Sequence, residues 1–176
     1  MPDVYVGAGS NIEPERHLRL AASALEERFG RIRCSHVYRS PAFGFHGADF
    51  LNMVFAFPTD RDPDDVEREL YDIEYEGGRV RRVERFSSRT LDLDLLLFGA
   101  AIDAARRLPR DDVRRYPFVL APLAELAPTL RHPLTGLTLE EEWRAMRDRG
   151  GIVLERLGTL DSLTPQSTPT PKSTGV

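Results

Sequence analysis

Ten consecutive residues, Arg89-Thr90-Leu91-Asp92-Leu93-Asp94-Leu95-Leu96-Leu97-Phe98, set two carboxylates into an otherwise apolar run. In an extended strand side chains alternate between faces, so Asp92 and Asp94 share one face while Leu91, Leu93 and Leu95 share the other. Two strand rises put the carboxylates roughly 7 Å apart. They repel each other, and sheets disfavour Asp, so stability does not explain the pair. A hard cation between or beside them removes the cost. Magnesium suits, because it takes one or two carboxylates and fills its other positions with water and phosphate oxygens. The competing reading is an edge strand with one wet, acidic face.

The segment just before this run bears on the choice. Arg79, Arg81, Arg82, Arg85 and Arg89 follow Gly77-Gly78 within eleven residues. Guanidinium groups grip phosphate oxygens through paired hydrogen bonds. Arginines that lead into a carboxylate pair can hold metal-bound polyphosphate, the arginines on the outer oxygens and the metal on the inner ones. Two alternatives stand beside this: a solvated charge run paired with Glu74, Glu76 and Glu84, and an RNA-binding loop. Neither accounts for the run abutting Asp92 and Asp94.

Other chemistries find little support. Gly7-Ala8-Gly9-Ser10-Asn11 is followed neither by the Gly-Lys-Ser/Thr of a P-loop nor by the third glycine of a dinucleotide fingerprint, and reads as a tight strand-to-helix turn. His17, His36, His46 and His132 lack ligand spacing. His17 is expected on an exposed helix face and His46 in an exposed loop. Cys34 is the single cysteine, so no intrachain disulfide can form, and it reads as a small core or strand residue rather than a nucleophile. There is no Gly-x-Ser-x-Gly elbow.

The elements that must position these residues follow from punctuation and period. Val4 to Gly9 is a short strand. Pro14 opens a helix whose apolar face is Leu18, Ala21, Ala22, Leu25 and Phe29, stopped by Gly30. Ile32 to Tyr38 is a second strand, Ser40 to Asp49 a loop, and Phe50 to Phe57 a third strand closed by Pro58. Asp62 caps a second helix with Pro63 in its first turn and Val66, Leu70 and Ile73 on its buried face. Thr90 to Phe98 is the fourth strand. This order, strand, helix, strand, strand, helix, strand, predicts an α+β fold with a ferredoxin-like βαββαβ core. Arg106 to Tyr116 reads as a polar loop and Phe118 to Leu126 as a short helix. Thr138 and Glu141 form a capping-box signature for a last helix through Trp143 and Met146.

At 41 % apolar and 30 % charged, the composition is that of a globular domain. The net charge of −4 argues against a nucleic-acid binder. No apolar run approaches the ~20 residues of a membrane span, and no secretory signal precedes the first strand. The expectation is a cytoplasmic, monomeric protein without membrane or nucleic-acid partners. It has one domain over residues 1–158 and a disordered Ser/Thr/Pro-rich tail over 159–176, which from Thr164 has no large apolar residue before Val176.

From Val4 to Pro128 the chain resembles the 6-hydroxymethyl-7,8-dihydropterin pyrophosphokinase family. The most specific likeness is Arg79-x-Arg81, Arg85 and Arg89-Thr90-Leu91-Asp92-Leu93-Asp94, continuing to Leu97-Phe98-Gly99. Gly9-Ser10-Asn11, Tyr38-Arg39-Ser40-Pro41 with Gly44, Phe50-Leu51-Asn52, and Phe118-Val119-Leu120-x-Pro122-Leu123 with Glu125, Ala127 and Pro128 support it. The resemblance implies a three-layer α/β/α fold, ATP as co-substrate and two Mg2+ ions on Asp92 and Asp94. It implies triphosphate contacts from Arg79, Arg81 and Arg89, with Arg85 and Arg110 also on the nucleotide. Glu74 and Leu95 would lie on the nucleotide side. For a pterin it implies Asn52 on the ring edge, Phe50 and Phe118 on its faces, Ser40 and Phe43 as backbone contacts, and Phe86 where the family often has a tryptophan. The Arg79 to Ser88 loop is expected to order on ATP. Three departures stand out: Pro109-Arg110 replaces the family's Pro-His, Tyr116 replaces an arginine, and the Gly44 to Phe50 loop lacks Gln-Pro. On the residues, the alternatives are another acceptor at the same magnesium–ATP site, an inactive relative, and an RNA-binding module.

Overall fold

The computed structural model describes residues 1–78 and 90–163. Its elements are β1 (Asp3–Ser10), α1 (Pro14–Phe29), β2 (Arg33–Cys34), β3 (Val37–Ser40), β4 (Phe50–Pro58), α2 (Pro63–Glu76), β5 (Asp92–Phe98), α3 (Asp112–Arg115), α4 (Pro117–Leu126), α5 (Leu139–Asp148) and β6 (Glu155–Gly158), followed by a 3-10 turn at Leu160–Ser162.

The sheet order is β5-β1-β4-β3-β6, with β2 also on β4, and every pairing is antiparallel. Strands β5, β1, β4 and β3 are the four of the expected ferredoxin-like core. The period-two alternation of β1 and β4 divides the apolar side chains between two cores. Val4, Val6, Leu51, Met53, Phe55 and Phe57 pack with Leu18, Leu25, Val66 and Ile73 of α1 and α2. Tyr5, Val54, Ala56 and Leu96 pack on the other face with Leu120 and Leu123 of α4 and Leu139 and Met146 of α5. Helices therefore cover both faces, giving three layers.

Local chemistry sets the boundaries. Asp62 caps α2 by accepting from the Asp65 N–H, and Pro63 stands in the first turn. Thr138 and Glu141 close a reciprocal capping box at α5. A register shift between Tyr5 and Val6 lets Leu96 bulge from β5, so Leu96 and Leu97 both enter the α4-side core and Phe98 returns to the other.

Several expectations are corrected. The strand at Ile32–Tyr38 is broken in two, because Ser35 diverts the chain: its N–H donates to the Val54 carbonyl (2.9 Å) and its Oγ accepts from the Val54 N–H (2.9 Å). Gly7 and Gly9 are strand residues of β1, not a turn. His17 is buried, its Nδ1 2.7 Å from the Ile12 carbonyl. Cys34 is on a strand but exposed. The polar stretch 106–116 contains α3, and β6 was not expected, since Glu-Arg-Leu-Gly carries no apolar alternation. Past the expected boundary at residue 158, Leu160 is buried and Leu163 packs on the α1 core.

Glu125 of α4 joins the outer strands to the helical layer. It accepts from Tyr38 Oη (2.6 Å), the His36 N–H (2.9 Å) and Arg156 Nε (3.0 Å), and also bonds the His36 ring. Burial alone would raise this carboxyl, but these donors outweigh it and bring it down to about 2. No described helix is long and apolar enough to cross a membrane.

Candidate active site

Two absent side chains shape the cleft. Gly7 pairs with Asp94 on one side and Val54 on the other; Gly9 lies between Asp92 and Asn52. These residues share one sheet face, so the glycines open a trough in the middle of the sheet, with carboxylates along one bank and an amide along the other. A Cβ on Gly9 would stand 3.3 Å from Asn52 Oδ1. The resulting cavity has a volume of about 690 Å³.

Asp92 and Asp94 project into it from β5, as the alternation predicts. Burial first, then the neighbouring Asp92 carboxylate, push Asp94 above the usual carboxylate range, and Arg110 offsets this only in part. Among the described residues the strand is an edge of the sheet, and it is pinned from α2: buried Glu74 accepts from the Leu93 N–H at 2.6 Å. The donor set fits magnesium. It consists of hard carboxylate oxygens lining the cleft, and among the described residues no third His, Cys, Asp or Glu completes a cage. The remaining positions are thus left to water and phosphate, as magnesium prefers.

On the far bank Asn52 and Ser40 are both buried, and Asn52 Nδ2 donates to Ser40 Oγ at 2.9 Å, which fixes the amide plane. Phe50 and Phe118 line the same end of the cleft, together with exposed Phe43. Phe118 is the second residue of α4, where Pro122 removes the N–H that would close onto its carbonyl. Tyr116 stacks on Phe118 with centroids 5.1 Å apart and planes at 14°, and Phe43 meets Tyr116 edge-on at 5.4 Å. Phe45 meets Phe50 edge-on at 6.2 Å.

The cavity also wraps around the β5 edge toward α2, where Glu67, Leu70, Tyr71, Glu74, Leu93 and Leu95 border it. Leu95 itself is buried in the α2-side core. After β5 the chain folds back: Asp103 and Leu108 bridge, and the Arg110 N–H donates to the Leu96 carbonyl at 2.9 Å. This return brings Arg107 and Arg110 into the cleft. Arg107 has a left-handed backbone, φ 56°, a conformation of about 1 kcal/mol cost for a residue with a Cβ. Sequence reasoning missed Arg107, Asp112 and the Tyr116 stack. Positive φ at a non-glycine leaves no local sequence signal, and all three lie in the stretch read as a plain loop.

Ten expected site residues thus converge on one cleft: Asp92, Asp94, Glu74, Leu95, Arg110, Ser40, Phe43, Phe50, Asn52 and Phe118. Arg79, Arg81, Arg85, Phe86 and Arg89 lie outside the described residues. Exposed His46 is absent from the cleft lining, as expected.

Comparison with known proteins agrees with this geometry. The family model of 7,8-dihydro-6-hydroxymethylpterin-pyrophosphokinase matches residues 5–128. A 2-amino-4-hydroxy-6-hydroxymethyldihydropteridine pyrophosphokinase of Synechocystis sp. is 37 % identical over 139 residues, covering 76 % of this chain and 71 % of the relative. Its counterpart from Pseudomonas aeruginosa is 42 % identical over 138 residues, covering 74 % and 83 %. A crystal structure of Plasmodium falciparum HPPK-DHPS shares the fold with a TM-score of 0.68 at 11 % identity. The match takes in 88 % of this chain and 48 % of that one, so the chain spans about half the length of that structure. With two carboxylates, a fixed amide and paired aromatic rings in one cleft, the chain belongs to the 7,8-dihydro-6-hydroxymethylpterin-pyrophosphokinase family, enzymes that transfer pyrophosphate onto a pterin alcohol.

Proposed function

We propose that this cleft transfers pyrophosphate from ATP to 6-hydroxymethyl-7,8-dihydropterin in folate biosynthesis, giving the pterin diphosphate and AMP. The observation that carries the assignment of roles is the trough: Asp92 and Asp94 face Asn52 across Gly7 and Gly9. A flat ring held by Asn52 on its edge and by Phe50 and Phe118 on its faces presents its hydroxymethyl group toward the carboxylates. The hydroxymethyl oxygen then attacks the β-phosphorus of ATP, the bond from that phosphorus to the α-β bridging oxygen breaks, and AMP leaves.

Asp92 and Asp94 are the residues to hold two Mg2+ ions, which would neutralise charge on the triphosphate. Ser40 and Phe43 offer backbone groups to the pterin, and Phe86 closes over it. Glu74 and Leu95 border the nucleotide end, and Arg110 stands beside the acidic pair. Arg79, Arg81, Arg85 and Arg89 are assigned to the triphosphate from their motif, and the Arg79 to Ser88 segment to closure over ATP, which excludes water from the reaction. Amide exchange in that segment should slow when a non-reactive ATP analogue is added; unchanged protection would remove the closure step. A single cysteine, net charge −4 and small-molecule substrates support a cytoplasmic monomer.

The test is a product assay by mass spectrometry with purified protein, magnesium, ATP and the pterin. The native chain should form the diphosphate and AMP, while Asp92→Ala and Asp94→Ala should each lose about 100-fold or more in rate, as expected when a positioned electrostatic group is removed. Product formation at the native rate by either variant would refute the metal assignment.

A further inference from the structure

Arg110 is held between two carboxylates inside the cleft. Its Nη2 lies 2.9 Å from Asp94 Oδ1, and its Nε lies 2.6 Å from Asp112 Oδ2. The three side chains are 23, 33 and 17 % exposed, so both ion pairs are only partly screened by solvent. The backbone is fixed as well, since the Arg110 N–H is bound to Leu96 of the strand that carries Asp94. One guanidinium therefore bridges a carboxylate of the acidic pair and a carboxylate at the start of α3.

We propose that Arg110 is a built-in stand-in for the metal: its guanidinium neutralises Asp94 in the metal-free protein and is turned from Asp94 toward phosphate when the metal-bound nucleotide enters. The inference rests on Asp94 being a metal carboxylate. A guanidinium and a divalent cation compete for the same oxygens, so the cation cannot take Asp94 fully while Arg110 Nη2 remains on it. The two ion pairs divide the work. Asp112 binds Nε, the nitrogen nearest the backbone, and can keep it while the Nη2 end swings away. Planar, multi-donor geometry suits the new partner, because a phosphate accepts the same paired hydrogen bonds as a carboxylate. A divalent cation alone is thereby a poor ligand of the cleft, and cation and nucleotide enter together. Arg110 is a positioning residue: it acts on the reaction through the availability of the Asp94 oxygens to a cation.

The experiment titrates the full chain with Mn2+ and follows free Mn2+ by electron paramagnetic resonance, without nucleotide and then with a non-reactive ATP analogue. Arg110→Gln should bind Mn2+ alone about tenfold more tightly than the native chain and the analogue about tenfold more weakly, the scale of a single charge-assisted hydrogen bond. Arg107→Gln removes a cleft charge with no ion pair to Asp94 and should shift Mn2+ affinity by less than about threefold. Equal effects of the two variants would overturn the specific exchange, and unchanged or weaker Mn2+ binding by Arg110→Gln would overturn the inference outright. Asp92→Asn and Asp94→Asn keep the two failures apart. If they lose Mn2+ while Arg110→Gln behaves as native, the inference alone falls; if they retain Mn2+, the metal reading falls and takes the inference with it. Thermal unfolding of each variant, followed by circular dichroism, verifies that it is folded.

Discussion

Gly9 shows how an absent side chain can shape a cleft. Its neighbours across the sheet are Asp92 and Asn52, and a methyl there would stand 3.3 Å from Asn52 Oδ1, tighter than ordinary contact. The amide is already tied to Ser40 and has little room to retreat. Gly9→Ala should therefore raise the pterin KM about tenfold and leave ATP affinity near native, the loss expected from one displaced polar group. Steady-state kinetics with each substrate varied would check it; a loss confined to ATP would assign the glycine to the other end of the cleft. Asp92 and Asp94 were legible in the sequence because the strand period forces them onto one face against the leucines. The convergence of Phe50, Asn52 and Phe118 was legible only through motif resemblance, since nothing local to each predicts their meeting. Arg107 and Asp112 could not be read, because a folded-back connection brings them in.

At the scale of elements, the caps and stops were the most readable features. Pro14, Gly30, Asp62-Pro63 and Thr138 to Glu141 each act within one turn of chain, so their sequence signals are complete in themselves. The broken strand at Ser35 and the added strand β6 depend on partners far along the chain, which propensity cannot see. Glu125 is the long-range tie between them, linking α4 to β3 and β6. Its folded pKa of about 2 is below the usual 4.5, so its contribution to stability is complete above about 4.5 and is lost as pH falls through about 2. Glu125→Gln should therefore be less stable than native by about 2 kcal/mol at pH 7, from weakened charge-assisted hydrogen bonds. The gap should close toward pH 2. Denaturant melts of both proteins across that range would check the sign; a gap that widens in acid would show that the carboxylate is not what holds the tie.

For the whole molecule, the ordering of four strands and two helices followed from the sequence because each predicted segment lies in one layer. The packing of Leu160 and Leu163 was less legible, because they sit alone among polar residues. In the fold Leu160 is buried, and Arg19 donates to the Leu163 carbonyl. We propose that the packed domain extends at least to residue 163. Removal of residues 164–176 should leave the unfolding free energy unchanged. Removal from 159 onward should cost about 2 kcal/mol, the worth of one buried leucine. Urea melts of the two truncations would decide, and equal stability would return the boundary to residue 158.

The position of β5 has one more consequence. Among the described residues it is an outer strand, and an outer strand offers unpaired backbone groups to any other strand it meets. Two side-by-side carboxylates, with Glu74 on the Leu93 N–H, make it a poor template for a second chain, and at the opposite border Glu155 and Arg156 do the same. Asp92 and Asp94 thus also place charge along this border of the sheet. A strand made apolar at positions 92 and 94 would lose that charge, and would be expected to recruit its own kind edge to edge.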